Sequence, residues 1–154
     1  MIEKFNIHIS DEEINKLHQK IALTRWPDEI NDEYWSHGTG MSFLKNLSNE
    51  WLNSFNWRDH EEELNKIGSY KFKSNSGLKI HFLHSKSYKE GAVPLIMTHG
   101  WPGSIQEFLK IIPIIHKKSK IPIDIICPSM PGFGFSDKPT EKGMDSEKIA
   151  RIQH

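Results

Sequence analysis

Two stretches of this chain hold residues whose types and spacing could do chemistry. One is Thr98-His99-Gly100-Trp101-Pro102-Gly103-Ser104, which follows an apolar run at 93–97. The other is Pro128-Ser129-Met130-Pro131-Gly132-Phe133-Gly134-Phe135-Ser136-Asp137, which follows a second apolar run at 123–126. Two glycines and a proline in the first stretch fix a tight turn whose backbone N–H groups can point away from the preceding strand. In an open α/β sheet, ligands collect beyond the carboxyl ends of the strands, and a backbone N–H placed there can stabilise an oxyanion. The same residues also fit a purely structural turn with a glycine–proline stop. The second stretch fails as a dinucleotide fingerprint at its last position, which is Asp137 instead of glycine. Gly38-Thr39-Gly40 fails likewise at Phe43, and neither lies in a fitting strand–helix–strand unit.

Other clusters point to structure before chemistry. His81 and His84 have the spacing of a metal pair, but residues three apart on a strand face opposite ways. No metal and no cofactor are expected. Glu61-Glu62-Glu63 reads as a solvated helix face, and Cys127 as a buried small hydrophobe. Leu44, Leu47, Trp51 and Phe55 read as a core-facing stripe instead of a partner groove. Trp26-Pro27 and Trp35 read as a meander packed on the body of the fold.

The elements that must position these residues change character along the chain. Ser10-Asp11-Glu12-Glu13 is a capping box, and Ile14, Leu17 and Ile21 follow as an amphipathic stripe that should end before Pro27. Further helices are expected over 41–55 and 58–67, the last stopped by Gly68. From Ser69 the period becomes two: Tyr70 and Phe72, then Leu78, Ile80 and Phe82, flank a hairpin turn at Asn75-Ser76-Gly77. The apolar runs at 93–97 and 123–126 read as strands buried on both faces. The helical stretch 108–115 between them is interrupted at Pro113. That order argues for a parallel sheet covered by helices. Ser104 and Glu107 form a second capping box.

Composition narrows the classes. At 154 residues the chain has the length of about one domain. Twenty Lys plus Arg balance twenty Asp plus Glu, which disfavours a nucleic-acid partner. One cysteine excludes an internal disulfide and suits a reducing compartment, so a soluble, cytoplasmic protein is expected. No apolar stretch approaches the roughly 20 residues of a membrane span, and the N-terminus lacks the basic and apolar regions of a signal peptide.

Taken together, the segment 99–104 and the loop 128–137 resemble the epoxide hydrolases of the microsomal type, on the α/β-hydrolase fold. The resemblance extends over essentially the whole chain through Thr24-Arg25-Trp26-Pro27, Phe55-Asn56-Trp57-Arg58, Glu63-Leu64-Asn65 and Gly77-Leu78-Lys79-Ile80-His81-Phe82-Leu83-His84. It implies a helical N-terminal domain at 1–68 and the first strands and helix of an α/β-hydrolase domain at 69–154.

The implied chemistry passes through an ester: an aspartate opens the epoxide, two tyrosines hydrogen-bond its oxygen, and a His with an acidic partner activates water. Among these residues the resemblance assigns only Trp101, whose backbone N–H would be one oxyanion donor. His99, Gly100, Pro102 and Gly103 support the turn, with a cis bond between Trp101 and Pro102. The Trp101 and Phe133 side chains would line an apolar pocket. The family's Gly-Gly-Asp-Trp-Gly elbow does not occur, nor does Gly-x-Ser-x-Gly, and neither His99 nor His154 is given a catalytic role. The expectation is therefore the N-terminal portion of an epoxide hydrolase, inactive alone and of marginal stability, that meets a small epoxide only when completed. The edge of strand 93–97 would be bare, with self-association as its hazard. The alternatives are a non-catalytic remnant or interaction module, and part of another α/β-hydrolase such as an esterase or dehalogenase.

Overall fold

The structure, a computed structural model, describes residues 1–30 and 35–153; His154 lies outside the described residues. The chain divides into two compact units, residues 8–60 and residues 1–7 with 61–154. These units are drawn differently from the segments 1–68 and 69–154, because the first strand and Ile7 belong with the sheet.

The sheet unit has five strands: β1 (Ile2–Lys4), β2 (Ser69–Lys73), β3 (Lys79–Ser85), β4 (Val93–Ile96) and β5 (Ile123–Pro128), in the order β1-β2-β3-β5-β4. Only β4 and β5 are parallel; the other three pairings are antiparallel. The expected parallel sheet is thus confined to one pair. The short hairpin forces β2 and β3 to be antiparallel, and β3 then takes the free side of β5. Tyr70 pairs with Phe82 and Phe72 with Ile80. The turn closes where Gly77 donates to the Ser74 carbonyl at φ +85°, a backbone angle that favours glycine.

One face of the sheet carries the aromatic row Tyr70, Phe72 and Phe82. The other carries Leu83, Ile125 and Cys127, which form the core with Ile7, Leu64, Ile105 and Ile112. Asn65 ties the N-terminal segment to this core, donating to the Ile7 carbonyl and accepting its N–H, each at 2.9 Å.

Three expectations about this unit need correction. Val93 and Ile96 are each 48% exposed, because β4 is an edge among the described residues and has a neighbour on one side only. The helix after the turn is not interrupted at Pro113. A single 3-10 turn (Ile105–Phe108) precedes helix α4 (Ile111–Lys118), and Pro113 is its third residue. In that first turn an N–H has no intrahelical partner to lose. Glu61 is 5% exposed, since it lies one turn from the buried Leu64 on the same side of helix α3 (Trp57–Ile67); Glu62 and Glu63 are solvated as expected.

The edge itself is modified by a proline. Val93 donates to the Pro122 carbonyl and Met97 to that of Ile126, both toward β5, so the alternate residue Pro94 turns its backbone outward. It has no N–H, which leaves the bare rim one donor short.

The other unit holds α1 (Asp11–Ala22) and α2 (Met41–Asn53). Ser10 caps α1 by accepting the Glu13 N–H at 3.2 Å, while the Glu13 carboxylate turns out to Lys16, so half of the expected box is made. Arg58 secures the segment before α1, donating to the Ile9 carbonyl and to Asp11. Helix α2 ends at Asn53, two residues early. Leu47, Trp51 and Phe55, expected in the core, are 50%, 42% and 41% exposed. Trp35, at φ +69°, packs against Phe43 within the same unit.

Burial sets the expected cost of truncation. Ile125→Ala, at a fully buried position, should lose about 2–5 kcal/mol in urea unfolding. Ile96→Ala at the rim should lose about 1 kcal/mol or less.

Candidate functional site

Beyond β4 the chain enters the turn 98–104, and its geometry is set by His99. The ring is 3% exposed. Its Nδ1 lies 3.1 Å from the Gly100 carbonyl, which can only accept, so Nδ1 carries the proton. Nε2 is then free to accept, and it takes the Met130 N–H at 3.1 Å. The Phe133 ring meets the imidazole edge-on at 5.5 Å. One neutral histidine therefore joins the two glycine-bearing segments that sequence analysis had singled out separately.

Within the turn, the Trp101–Pro102 bond is cis, as the resemblance implied. Gly103 donates to the Gly100 carbonyl at 2.8 Å. The capping box of Ser104 and Glu107 is complete, with Glu107 accepting the Ser104 N–H at 3.2 Å. Gly103 is required for this. A Cβ there would stand 1.4 Å from the Glu107 carboxylate, whereas one at Gly100 would meet open space. Trp101 is 81% exposed, and among the described residues no group accepts its backbone N–H. The turn thus leaves that backbone donor uncommitted.

The loop 128–137 folds back along β3 and prolongs its ladder. Ser129 donates to the His81 carbonyl, and Asp137 donates to that of Lys79 while its carboxylate accepts the Lys79 N–H. The aspartate that spoils a nucleotide fingerprint is thus a strand-end clamp. Gly132 at φ +85° and Gly134 at +51° make the two tight bends. Phe133 packs on His99 and not on Trp101. Neither aromatic lines any of four surface cavities that form around His116, Trp51, Phe82 and Lys148.

His81 and His84 do not converge. His81 is fully buried on the core face, with Nε2 2.8 Å from Ser69 Oγ and Nδ1 2.9 Å from Ser129 Oγ. His84 lies on the opposite face, 3.8 Å from Asp124. Among the described residues no three His, Cys, Asp or Glu side chains stand where they could share a metal. Cys127 has no exposed surface, and burial pushes its thiol up to about 12. The serine network around His81 escaped sequence reasoning. Its one signal was a polar residue between the apolar Ile80 and Phe82, on a strand whose other face is also buried.

Burial, reinforced by Lys71, holds the His81 imidazole down at about 4, below the usual 6.5. The unfolded chain therefore binds more protons than the folded one between those values. His81 contributes stability above pH about 6.5 that is lost as pH falls toward about 4, on the order of 3 kcal/mol in all. Urea melts at pH about 7, 5.5 and 4 should show this slope over that of a His81→Gln comparison. At the turn, Gly103→Ala should cost about 1 kcal/mol by expelling the Glu107 carboxylate from its box. Gly100→Ala should stay within about 0.5 kcal/mol, both read by thermal unfolding.

Comparison with known proteins adds an independent line. Residues 2–108 match the family described as the epoxide hydrolase N terminus, and residues 93–154 match the alpha/beta hydrolase fold. The chain is 42% identical to epoxide hydrolase 1 of Sus scrofa, over 98% of this chain and 35% of that protein. The crystal structure of juvenile hormone epoxide hydrolase from Bombyx mori superposes with a TM-score of 0.88 at 29% identity, covering 99% of this chain and 38% of the other. An enantioselective mutant of the Aspergillus niger epoxide hydrolase superposes equally well, with 42% of that chain covered. The chain thus spans about a third of the length of the curated relatives it matches. With more than half of its residues matched by that N-terminal model, the chain belongs to the epoxide hydrolase N-terminus family.

Proposed function

We propose that this chain forms the N-terminal portion of an epoxide hydrolase and contributes the Trp101 N–H to the oxyanion site. The observation that carries this reading is the turn itself: an uncommitted backbone donor beyond the carboxyl end of β4, held by His99 and a capped helical turn. The reaction is addition of water to an epoxide, giving a vicinal diol through an alkyl-enzyme ester. Hydrolysis of that ester creates a tetrahedral oxyanion, and a fixed N–H there stabilises charge only as it develops. Removing one such donor typically lowers kcat by about 10²–10³. The nucleophile, the acid–His pair and the tyrosines are assigned to no residue of this chain. The reading calls for no cofactor and no metal. In it, residues 1–68 are the family's N-terminal domain and 69–154 open the hydrolase body. The Trp101 and Phe133 side chains would border the substrate only after rearrangement or addition of further walls, and the protein would work in the cytoplasm.

A second reading, an interaction module without catalysis, is favoured by the exposed Leu47, Trp51 and Phe55 and by the rim of β4. Among the described residues no helix is long and apolar enough to cross a membrane. The two readings separate in one experiment. Residues 1–154 are joined to the C-terminal two-thirds of the Sus scrofa relative and assayed with styrene oxide. The hydrolase reading expects diol formation by the chimera and none by the chain alone above a heat-killed control. A folded, inactive chimera favours the module; turnover by the isolated chain overturns the claim that it is inactive. Sedimentation velocity over a concentration series tests self-association through β4.

A further inference from the structure

We propose that His81 is a positioning residue, whose buried imidazole bridges Ser69 and Ser129 and thereby sets the turn that presents the Trp101 N–H. The purpose assigned to that turn rests on the oxyanion reading above; the linkage rests on geometry alone. Four hydrogen bonds meet at this residue. Its two ring nitrogens contact Ser69 Oγ and Ser129 Oγ, its N–H donates to Ser136 Oγ at 2.9 Å, and its carbonyl accepts the Ser129 N–H at 2.8 Å. Ser136 Oγ in turn donates to the Ser129 carbonyl at 2.8 Å. Both ends of the loop 128–137 are thus fastened to one side chain and its backbone.

From Ser129 the path to the turn is a single residue. Met130 donates its N–H to His99 Nε2, and the proton on His99 Nδ1 faces the Gly100 carbonyl next to Trp101. A rotation of Ser129 therefore moves the donor that fixes the His99 tautomer. The surroundings hold Ser129 in place. A Cβ on Gly134 would lie 2.7 Å from its Oγ, so the glycine leaves room for that hydroxyl alone. Phe5 and Phe135 close on the imidazole edge-on, at 5.6 and 5.2 Å, and exclude water that could substitute for either serine. An apolar residue at this fully buried place would satisfy packing, and a buried polar group is stabilising only when all its partners are met. The geometry points to placement of the loop as the reason for a histidine here.

Two near-isosteric variants of the whole chain divide the bridge. Asn reaches as far as Nδ1, so His81→Asn can keep the Ser129 contact and lose that of Ser69. Gln reaches as far as Nε2, so His81→Gln does the reverse. In the 15N-labelled protein, His81→Asn should leave the His99 ring shifts and Met130 amide exchange near those of the native chain. His81→Gln should speed Met130 exchange by about tenfold, with Ile125 still protected, and should mix the His99 tautomers. Equal behaviour of the two folded variants overturns the proposal. Should either variant fail to fold, Ser129→Ala removes only the loop-side partner. It should give the same faster Met130 exchange, and unchanged exchange overturns the proposal. None of these readouts uses turnover, so they can fail while the chimera is active, or hold while it is not.

Discussion

The hydrogen bond from the Met130 N–H to His99 Nε2 is the contact through which the rest of the candidate site is organised. It can form only if His99 is neutral with its proton on Nδ1, and that proton is spent on the neighbouring Gly100 carbonyl. The ring therefore has one protonation state and one orientation in which both segments are satisfied. β4 and β5 bring the two segments to the same end of the sheet by parallel pairing, and the helical turn capped by Ser104 fixes where the first one leaves. The backbone donor of Trp101 inherits its position from these constraints, without a side chain of its own to hold it.

Much of this was legible because the signals are local. Ser10, Ser104 with Glu107, Gly68 and Gly77 each act within a few residues, and each is found in the expected role, with Glu13 the exception because Lys16 competes for its carboxylate. The spacing of the two glycine-bearing stretches was enough to identify the family. What sequence could not give depends on partners far along the chain. Strand β1 has three residues, all exposed, and exists only because β2 offers it an edge. Glu61 sits in a run of like charges, and nothing local distinguishes the one that turns inward. Pro113 looks like a break until the helix start is known. The apolar stripe of α2 has helical spacing, but spacing states which side is apolar and not what covers it.

His81 illustrates the same limit at the site. Read along the strand it was half of a metal pair, and the pleat was sufficient reason to reject that. The pleat could not say that the core face would also present Ser69 and Ser129. Two hydroxyls from opposite directions turn a buried imidazole from a liability into a strut. The low proton affinity of the ring follows from the same burial, so its hydrogen bonds and its neutrality have one cause.

The proline at the rim of β4 has a meaning beyond the missing donor. On that side the backbone offers acceptors at Pro94 and Ile96 but, between them, only the donor of Ile96. A strand laid there finds one alignment in which its carbonyl meets that N–H. A strand displaced by a residue pair brings the same carbonyl against the pyrrolidine ring, where it has no partner. Pro94 therefore works as an index mark. It weakens indiscriminate pairing while making the in-step arrangement distinguishable from the slipped one, so the rim is selective about alignment even though its exposed Val93 and Ile96 are not selective about chemistry.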